Sequence, residues 1–215
     1  MSARLVFISG GTGYLGRPLS AELVARGHRV RVLVRPGSES KVEAGAEAVV
    51  ANALDAASFA ARVAPSDTFV QLTGVAHPAP WKERAFRAID LASLRVSAEA
   101  ARGAGVAHFV YVSVAHPAPA MKAYIRVRME CEGILGDTGL TSTILRPWYV
   151  LGPGHRWPAI LKPVYALAEC FAATRESALR LGLVTQRQMV AALGWAVENP
   201  GARVVEVAGI RTLKG

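Results

Sequence analysis

The stretch Leu5-Val6-Phe7-Ile8-Ser9-Gly10-Gly11-Thr12-Gly13-Tyr14-Leu15-Gly16 leaves this chain few folds to adopt. Leu5 to Ile8 is an unbroken apolar run and reads as a buried strand. Gly10, Gly13 and Gly16 follow at the spacing G-x-x-G-x-x-G. Beyond them Leu15, Leu19 and Leu23 recur every four residues, marking one face of a helix. A strand entering a helix through glycines leaves unpaired backbone N–H groups at the helix N-terminus. Those groups and the helix dipole attract a phosphate. The glycines allow a tight turn, close approach of backbone to a pyrophosphate, and close helix–strand packing.

The run Gly10-Gly11-Thr12-Gly13-Tyr14-Leu15-Gly16 resembles the cofactor loop of the short-chain dehydrogenase/reductase superfamily. It is most similar to extended and atypical members: sugar-nucleotide epimerase relatives, NmrA-like proteins and complex I accessory subunits. The resemblance runs along nearly the whole chain and thins after Gly154. It implies a nicotinamide dinucleotide held by Gly10, Thr12, Gly13, Tyr14, Leu15 and Gly16.

With 215 residues, 52% apolar and 19% charged, the chain suits one compact α/β domain. No apolar run is long enough to span a bilayer. Met1-Ser2-Ala3-Arg4 leads directly into the first strand, which argues against a secretory signal. Cys131 and Cys170 are too few for a disulfide framework, so a cytoplasmic location is expected. The net charge of +9 comes from 25 Lys and Arg spread along the chain. With no basic run and no interleaved aromatics, this favours an anionic cofactor over nucleic acid.

The second strand, His28 to Arg35, alternates Val30, Val32 and Val34 with other residues. Arg35 comes 19 residues after Gly16, and no Asp or Glu occurs between Leu23 and Ser38. An acidic residue at this strand end would select the ribose of NAD, whereas an Arg accommodates a 2′-phosphate. NADP is therefore expected rather than NAD, with Ser38 and Lys41 as further candidate contacts. Ala46 to Ala51 reads as the third strand. The resemblance places Asn52 and Ala53, which follow it, at the adenine edge. Thr68 to Thr73 is the fourth strand, and its end brings Thr73 and Gly74 to the ligand crevice. A helix is predicted from Asp90 to Arg102. Phe109 to Val112 is the fifth strand, with the Ser113 hydroxyl at its edge.

One hexapeptide occurs twice, as Val75-Ala76-His77-Pro78-Ala79-Pro80 and as Val114-Ala115-His116-Pro117-Ala118-Pro119. Each copy follows a central strand, so both loops should rim one pocket. His77 and His116 then serve as substrate contacts, or the loops are rigid rims without chemistry. No His/Cys/Asp cluster supplies a metal site.

Tyr124 and Arg128 share one helical face. With Ser113 they resemble the superfamily's Ser…Tyr-x-x-x-Lys catalytic set. The resemblance implies a phenol that exchanges a proton with the substrate oxygen, and a serine that holds that oxygen. It also implies a cation that binds ribose and lowers the phenol's pKa. Arg128 stands where the family has Lys. It keeps the charge and the ribose donors but is bulkier and planar. Glu132 falls four residues after Arg128, the spacing of a helical ion pair.

Thr141 to Leu145 is the sixth strand. Leu145-Arg146-Pro147-Trp148 continuing to Gly152-Pro153-Gly154 is close to the family's Leu-Arg-Pro…Gly-Pro signature, which implies that Pro147 passes the nicotinamide and that Arg146 braces the structure. Trp81, Trp148, Tyr149 and Trp157 are candidate walls of an aromatic substrate pocket, with core packing as the competing use. A minor substrate-side lobe is expected over residues 155–184. Thr185-Gln186-Arg187-Gln188 is a capping box that starts a helix. Arg203 to Val207 is the final strand.

The expected architecture is a single Rossmann-type α/β domain over residues 1–215: a doubly wound parallel sheet with helices on both faces. The expected function is that of an atypical NADP-dependent oxidoreductase acting on a small carbonyl-type substrate. The alternative is an NADP-binding sensor or assembly subunit without turnover. A homodimer or a protein assembly partner is compatible with either.

Overall fold

A computed structural model describes residues 2–153 and 181–213. Seven parallel strands form the central sheet: β1 (Leu5–Ser9), β2 (Arg29–Val34), β3 (Glu47–Val50), β4 (Thr68–Gln71), β5 (His108–Val112), β6 (Ser142–Arg146) and β9 (Arg203–Glu206). Their order is β3-β2-β1-β4-β5-β6-β9, with every neighbouring pair parallel. The chain winds outward from β1 in one direction to β2 and β3, then returns to β4 on the other side. The loop after β1 therefore sits at the switch point of a doubly wound, Rossmann-like sheet, where such sheets open a crevice. A second, two-stranded parallel sheet joins β7 (Tyr149–Leu151) to β8 (Leu183–Thr185).

Alternation along the strands sorts the core into two layers. Val6 and Ile8 of β1, with Val32, Val70 and Val110, face helices α1 (Gly16–Ala25) and α6 (Gln186–Glu198) through Leu19, Leu23, Met189 and Leu193. Phe7 points the other way, in register with Phe69 and then Phe109. Their rings stack in a row, each neighbouring pair 5.2 Å apart between centroids. That row packs on Val63 of α2 (Ala60–Val63), Leu94 and Ala98 of α4 (Ala92–Gly103), and Leu135 of α5 (Lys122–Asp137). Covering both faces is what an all-parallel sheet requires.

The helix predicted to begin at Asp90 begins earlier, as α3 (Glu83–Ala85), and runs through a π-helical turn (Phe86–Leu91) into α4. The wider turn leaves both Phe86 and Asp90 buried. The capping box is present: the Thr185 hydroxyl accepts from the Gln188 N–H at 3.2 Å, and the Gln188 side chain accepts from the Thr185 N–H at 2.9 Å. The final strand stops at Glu206, and Val207–Thr212 forms a short helix, α7. No helix among the described residues is long and apolar enough to cross a membrane. Trp157, Cys170 and most of the predicted lobe over 155–184 lie outside the described residues.

Candidate functional site

The glycine loop is held tight by the Gly13 N–H donating to the Gly10 carbonyl at 3.0 Å. Gly10 has φ +79°, and a Cβ there would lie 2.7 Å from Leu72 backbone. At Gly16 a Cβ would strike the Gly10 carbonyl oxygen. Both positions therefore require glycine. Among the described residues the N–H groups of Leu15 and Gly16 meet no acceptor. They are the orphan donors of α1 and suit a phosphate.

A cleft of about 470 Å³ opens above this loop and runs over the ends of β4, β5 and β6. Of the residues singled out in the sequence, Gly10, Gly13, Tyr14, Leu15, Gly16, Gly74, His77, Ser113, Tyr124, Arg128, Pro147, Trp148 and Tyr149 line it together. Others lie elsewhere. Thr12 borders a neighbouring groove with Arg17 and Glu43. Arg35 and Asn52 follow β2 and β3, on the far side of the glycine loop. Arg35 is exposed and makes no side-chain hydrogen bond or ion pair among the described residues. Asn52 turns its side-chain oxygen onto the Leu54 N–H at 3.0 Å, and Ala53 sits within that turn. The Thr73 hydroxyl is taken up by Ser9, 2.5 Å away.

Trp81 does not wall the cleft but stands 83% exposed. Lys82 closes its loop by donating to the carbonyls of Ala76 and His77 at 3.0 and 2.9 Å, which leaves Trp81 outside. The two hexapeptide copies also part company. His77 borders the cleft, whereas the His116 ring stands with Nε2 3.7 Å from a Glu132 oxygen and does not line it. Identical in sequence, the two loops differ in backbone: His77 has φ +53°, and His116 does not share that conformation.

Arg128 anchors the cleft wall. Its Nη2 donates to Asp90 at 2.5 Å, and its Nη1 donates to the Tyr111 hydroxyl at 3.0 Å and the Val112 carbonyl at 2.9 Å. The other Asp90 oxygen accepts from the Val75 N–H at 3.1 Å, tying down the loop after β4. Gly74 leaves room for the pair: a Cβ there would lie 2.9 Å from both Arg128 and Asp90. The carboxylate partner of Arg128 is thus Asp90, not Glu132. Spacing along one helix suggested the latter, but Arg128 turns toward the sheet and meets the π-helical turn packed there. Burial raises the Asp90 pKa, and Arg128 and the Val75 N–H oppose that rise. Burial also works against the charge on Arg128, yet Tyr111, Tyr124 and Asp90 hold the guanidinium protonated.

Tyr124 packs its ring on Phe86 at 4.9 Å, with the Arg128 guanidinium 4.9 Å over its face. Its pKa is raised rather than lowered. Burial dominates, and the opposing pull of Arg128 is offset by Asp90. The phenol is therefore a proton donor near neutral pH. Ser113 donates its hydroxyl proton to Glu132. The Glu132 carboxylate is gripped by Arg146, whose Nε donates at 3.0 Å and whose Nη1 reaches Glu206 at 2.9 Å. Arg146 thus braces β6 against α5 and the end of β9. Asp90 and Glu132 are the two partners that sequence reasoning missed as parts of the site. Asp90 carries one signal, a lone acid within Ala88-Ile89-Asp90-Leu91-Ala92.

Residues 10–156 match the NAD(P)H-binding family. Similar proteins include a divinyl chlorophyllide a 8-vinyl-reductase of Oryza sativa subsp. indica, 29% identical over 68% of this chain and 40% of that protein. Others are a 3-diazoavenalumate denitrifying reductase of a Streptomyces species (32%, covering 69% and 57%) and a ceramide reductase of Caulobacter vibrioides (30%, covering 70% and 47%). The chain spans about half the length of these relatives. Among solved structures, the Bordetella bronchiseptica enzyme WbmH in complex with NAD+ matches 96% of this chain and 79% of its own, at TM-score 0.73 and 19% identity. A short-chain dehydrogenase/reductase superfamily protein of Agrobacterium tumefaciens with bound NAD matches 96% and 80%, at TM-score 0.68 and 19% identity.

Proposed function

This chain belongs to the NAD(P)H-binding family, in the short-chain dehydrogenase/reductase superfamily, and from that premise we propose that it is an atypical NADP-dependent oxidoreductase acting on a small carbonyl-type substrate. The observation that carries the reading is the cleft itself. It joins a glycine cradle with orphan N–H donors to a protonated phenol in one continuous space. When bound, the dinucleotide supplies or accepts a hydride at its nicotinamide ring. The residues present fit it: bare backbone at Gly10 and Gly13, donors at Leu15 and Gly16, and Pro147 along the far wall. The pyrophosphate would lie on α1, with the adenosine half passing toward β2 and β3 and the nicotinamide half toward β5. Arg35 would meet a 2′-phosphate, and Asn52 and Ala53 the adenine.

Tyr124 is the acid of this scheme, giving its proton to the substrate oxygen. Arg128 cannot act as a mobile relay, because its Nη atoms are committed to Asp90, Tyr111 and Val112. Its role is to fix Tyr124 and the cleft wall. His77 and Trp148 would bound the substrate.

A second reading, NADP binding without turnover, is favoured by the same commitments: the Arg128 charge is matched by Asp90, and the Ser113 proton belongs to Glu132. Following NADPH oxidation with a panel of aldehydes and quinones separates the two. The oxidoreductase reading predicts turnover that falls about 10²- to 10⁴-fold in Tyr124→Phe, with NADPH affinity kept. Tight NADPH binding with no turnover of any panel member favours the second reading.

A further inference from the structure

The following rests on the dinucleotide reading above. Ser113 forms the cleft floor where β5 ends, and it is 3% exposed. Its neighbours leave it with acceptors and no donor. In the β5–β6 ladder, the Ser113 N–H donates to the Leu145 carbonyl at 2.8 Å and the Ala115 N–H to the Pro147 carbonyl at 2.9 Å. Between these bonds, parallel pairing calls for the N–H of residue 147 to reach the Ser113 carbonyl. Residue 147 is proline and has no N–H. Among the described residues the Ser113 carbonyl accepts no hydrogen bond. The Ser113 hydroxyl has meanwhile given its proton to Glu132, a carboxylate fixed by Arg146. What remains on that oxygen is lone pairs.

One buried residue thus offers a carbonyl oxygen and a hydroxyl oxygen, both short of donors. A buried acceptor left unpaired is costly, and the cleft is where a donor can arrive. We propose that Ser113 is the carboxamide site of the bound dinucleotide: its two oxygens accept the N–H hydrogens of the primary amide on the nicotinamide ring. Position and chemistry agree. The glycine loop at β1 fixes the pyrophosphate, and the cleft runs from there past β4 to β5, the course of the nicotinamide half. A primary amide carries two N–H hydrogens for two acceptors. A bare substrate carbonyl would instead be repelled by both oxygens. Ser113 therefore orients the nicotinamide ring, and the proton for the substrate is left to Tyr124.

Calorimetric titration of the full chain with NADP+ and with 3-acetylpyridine adenine dinucleotide phosphate tests this, because the analogue carries a methyl group in place of the amide nitrogen. The wild type should bind NADP+ about five- to tenfold more tightly than the analogue. Ser113→Ala removes the hydroxyl acceptor, and Pro147→Ala supplies the missing N–H to the Ser113 carbonyl. Each should narrow the ratio, and the double variant should bring it to about one by weakening NADP+ alone. Ser113→Thr keeps the hydroxyl and should keep the wild-type ratio. Equal binding of the two dinucleotides by the wild type, or a ratio unchanged in the double variant, overturns the assignment. If the wild type binds no NADP+ at all, the dinucleotide reading fails and takes this assignment with it.

Discussion

Replacing Arg128 with Met should be among the most damaging single changes in the fold. The guanidinium neutralises Asp90, whose side chain is fully buried, and also donates to the Tyr111 hydroxyl and the Val112 carbonyl. Breaking a buried pair from one side leaves an uncompensated charge and costs about 3–5 kcal/mol. For a chain of this size, that lowers Tm by roughly 6–20 °C. The loss should depend on pH. Without Arg128, the Asp90 pKa climbs further above its unfolded value of about 3.9. A carboxyl that holds its proton more tightly in the folded chain contributes stability at low pH and loses it as pH rises through the folded pKa. The deficit should therefore be smaller at pH 5 than at pH 8. Urea denaturation followed by circular dichroism gives both numbers. Adding Asp90→Leu should recover most of the loss, because removing both partners of a buried pair is close to neutral. A single variant within about 1 kcal/mol of wild type, or a double variant no better than the single, would show that the Arg128–Asp90 pair does not hold this wall.

Other consequences follow from the same physics. His108 is buried, and its Nε2 donates to the Thr143 oxygen at 2.9 Å, because the Thr143 hydroxyl donates to Gly201. Its Nδ1 has no partner among the described residues, and burial, with Arg4 and Arg203 nearby, lowers its pKa to about 4. The unfolded chain then takes up this proton first, so stability should fall by about 3 kcal/mol as pH drops from 6.5 to about 4. His108→Gln should flatten that slope in urea titrations across the range. Gly16→Val should abolish dinucleotide binding, measured by NADPH fluorescence, because its side chain would strike the Gly10 carbonyl and the Gly11 backbone. Thr185→Ala removes one side of the capping box and should cost about 1 kcal/mol in thermal or chemical unfolding.

Patterns within one element were readable in the sequence, and pairings between elements were not. The apolar run before Gly10, the alternating valines of β2 and the capping box at Thr185 each act over a few residues, and each forms where expected. The partner of Arg128 lies 38 positions away on another element, so helical spacing pointed to the wrong acid. The sheet joining Tyr149–Leu151 to Leu183–Thr185 was missed for a similar reason: three-residue strands carry no period, and their pairing spans a long stretch of chain. The helix Val207–Thr212 is only six residues long and contains Gly209, a poor helix former, so it carries too little period to be read from the sequence. The phenol of Tyr124 shows how context decides chemistry. A neighbouring cation predicts a lower pKa, but burial and the Asp90 charge reverse the sign.

The NADP assignment rests on the glycine loop and the end of β2. The most direct test is to titrate the purified chain with NADPH and with NADH, in the wild type and in Arg35→Asp. The wild type should bind NADPH more tightly than NADH, and the variant should lose this preference. Binding of neither dinucleotide would contradict the cradle at Gly10, Gly13 and Gly16, and equal binding of both by the wild type would contradict the role of Arg35.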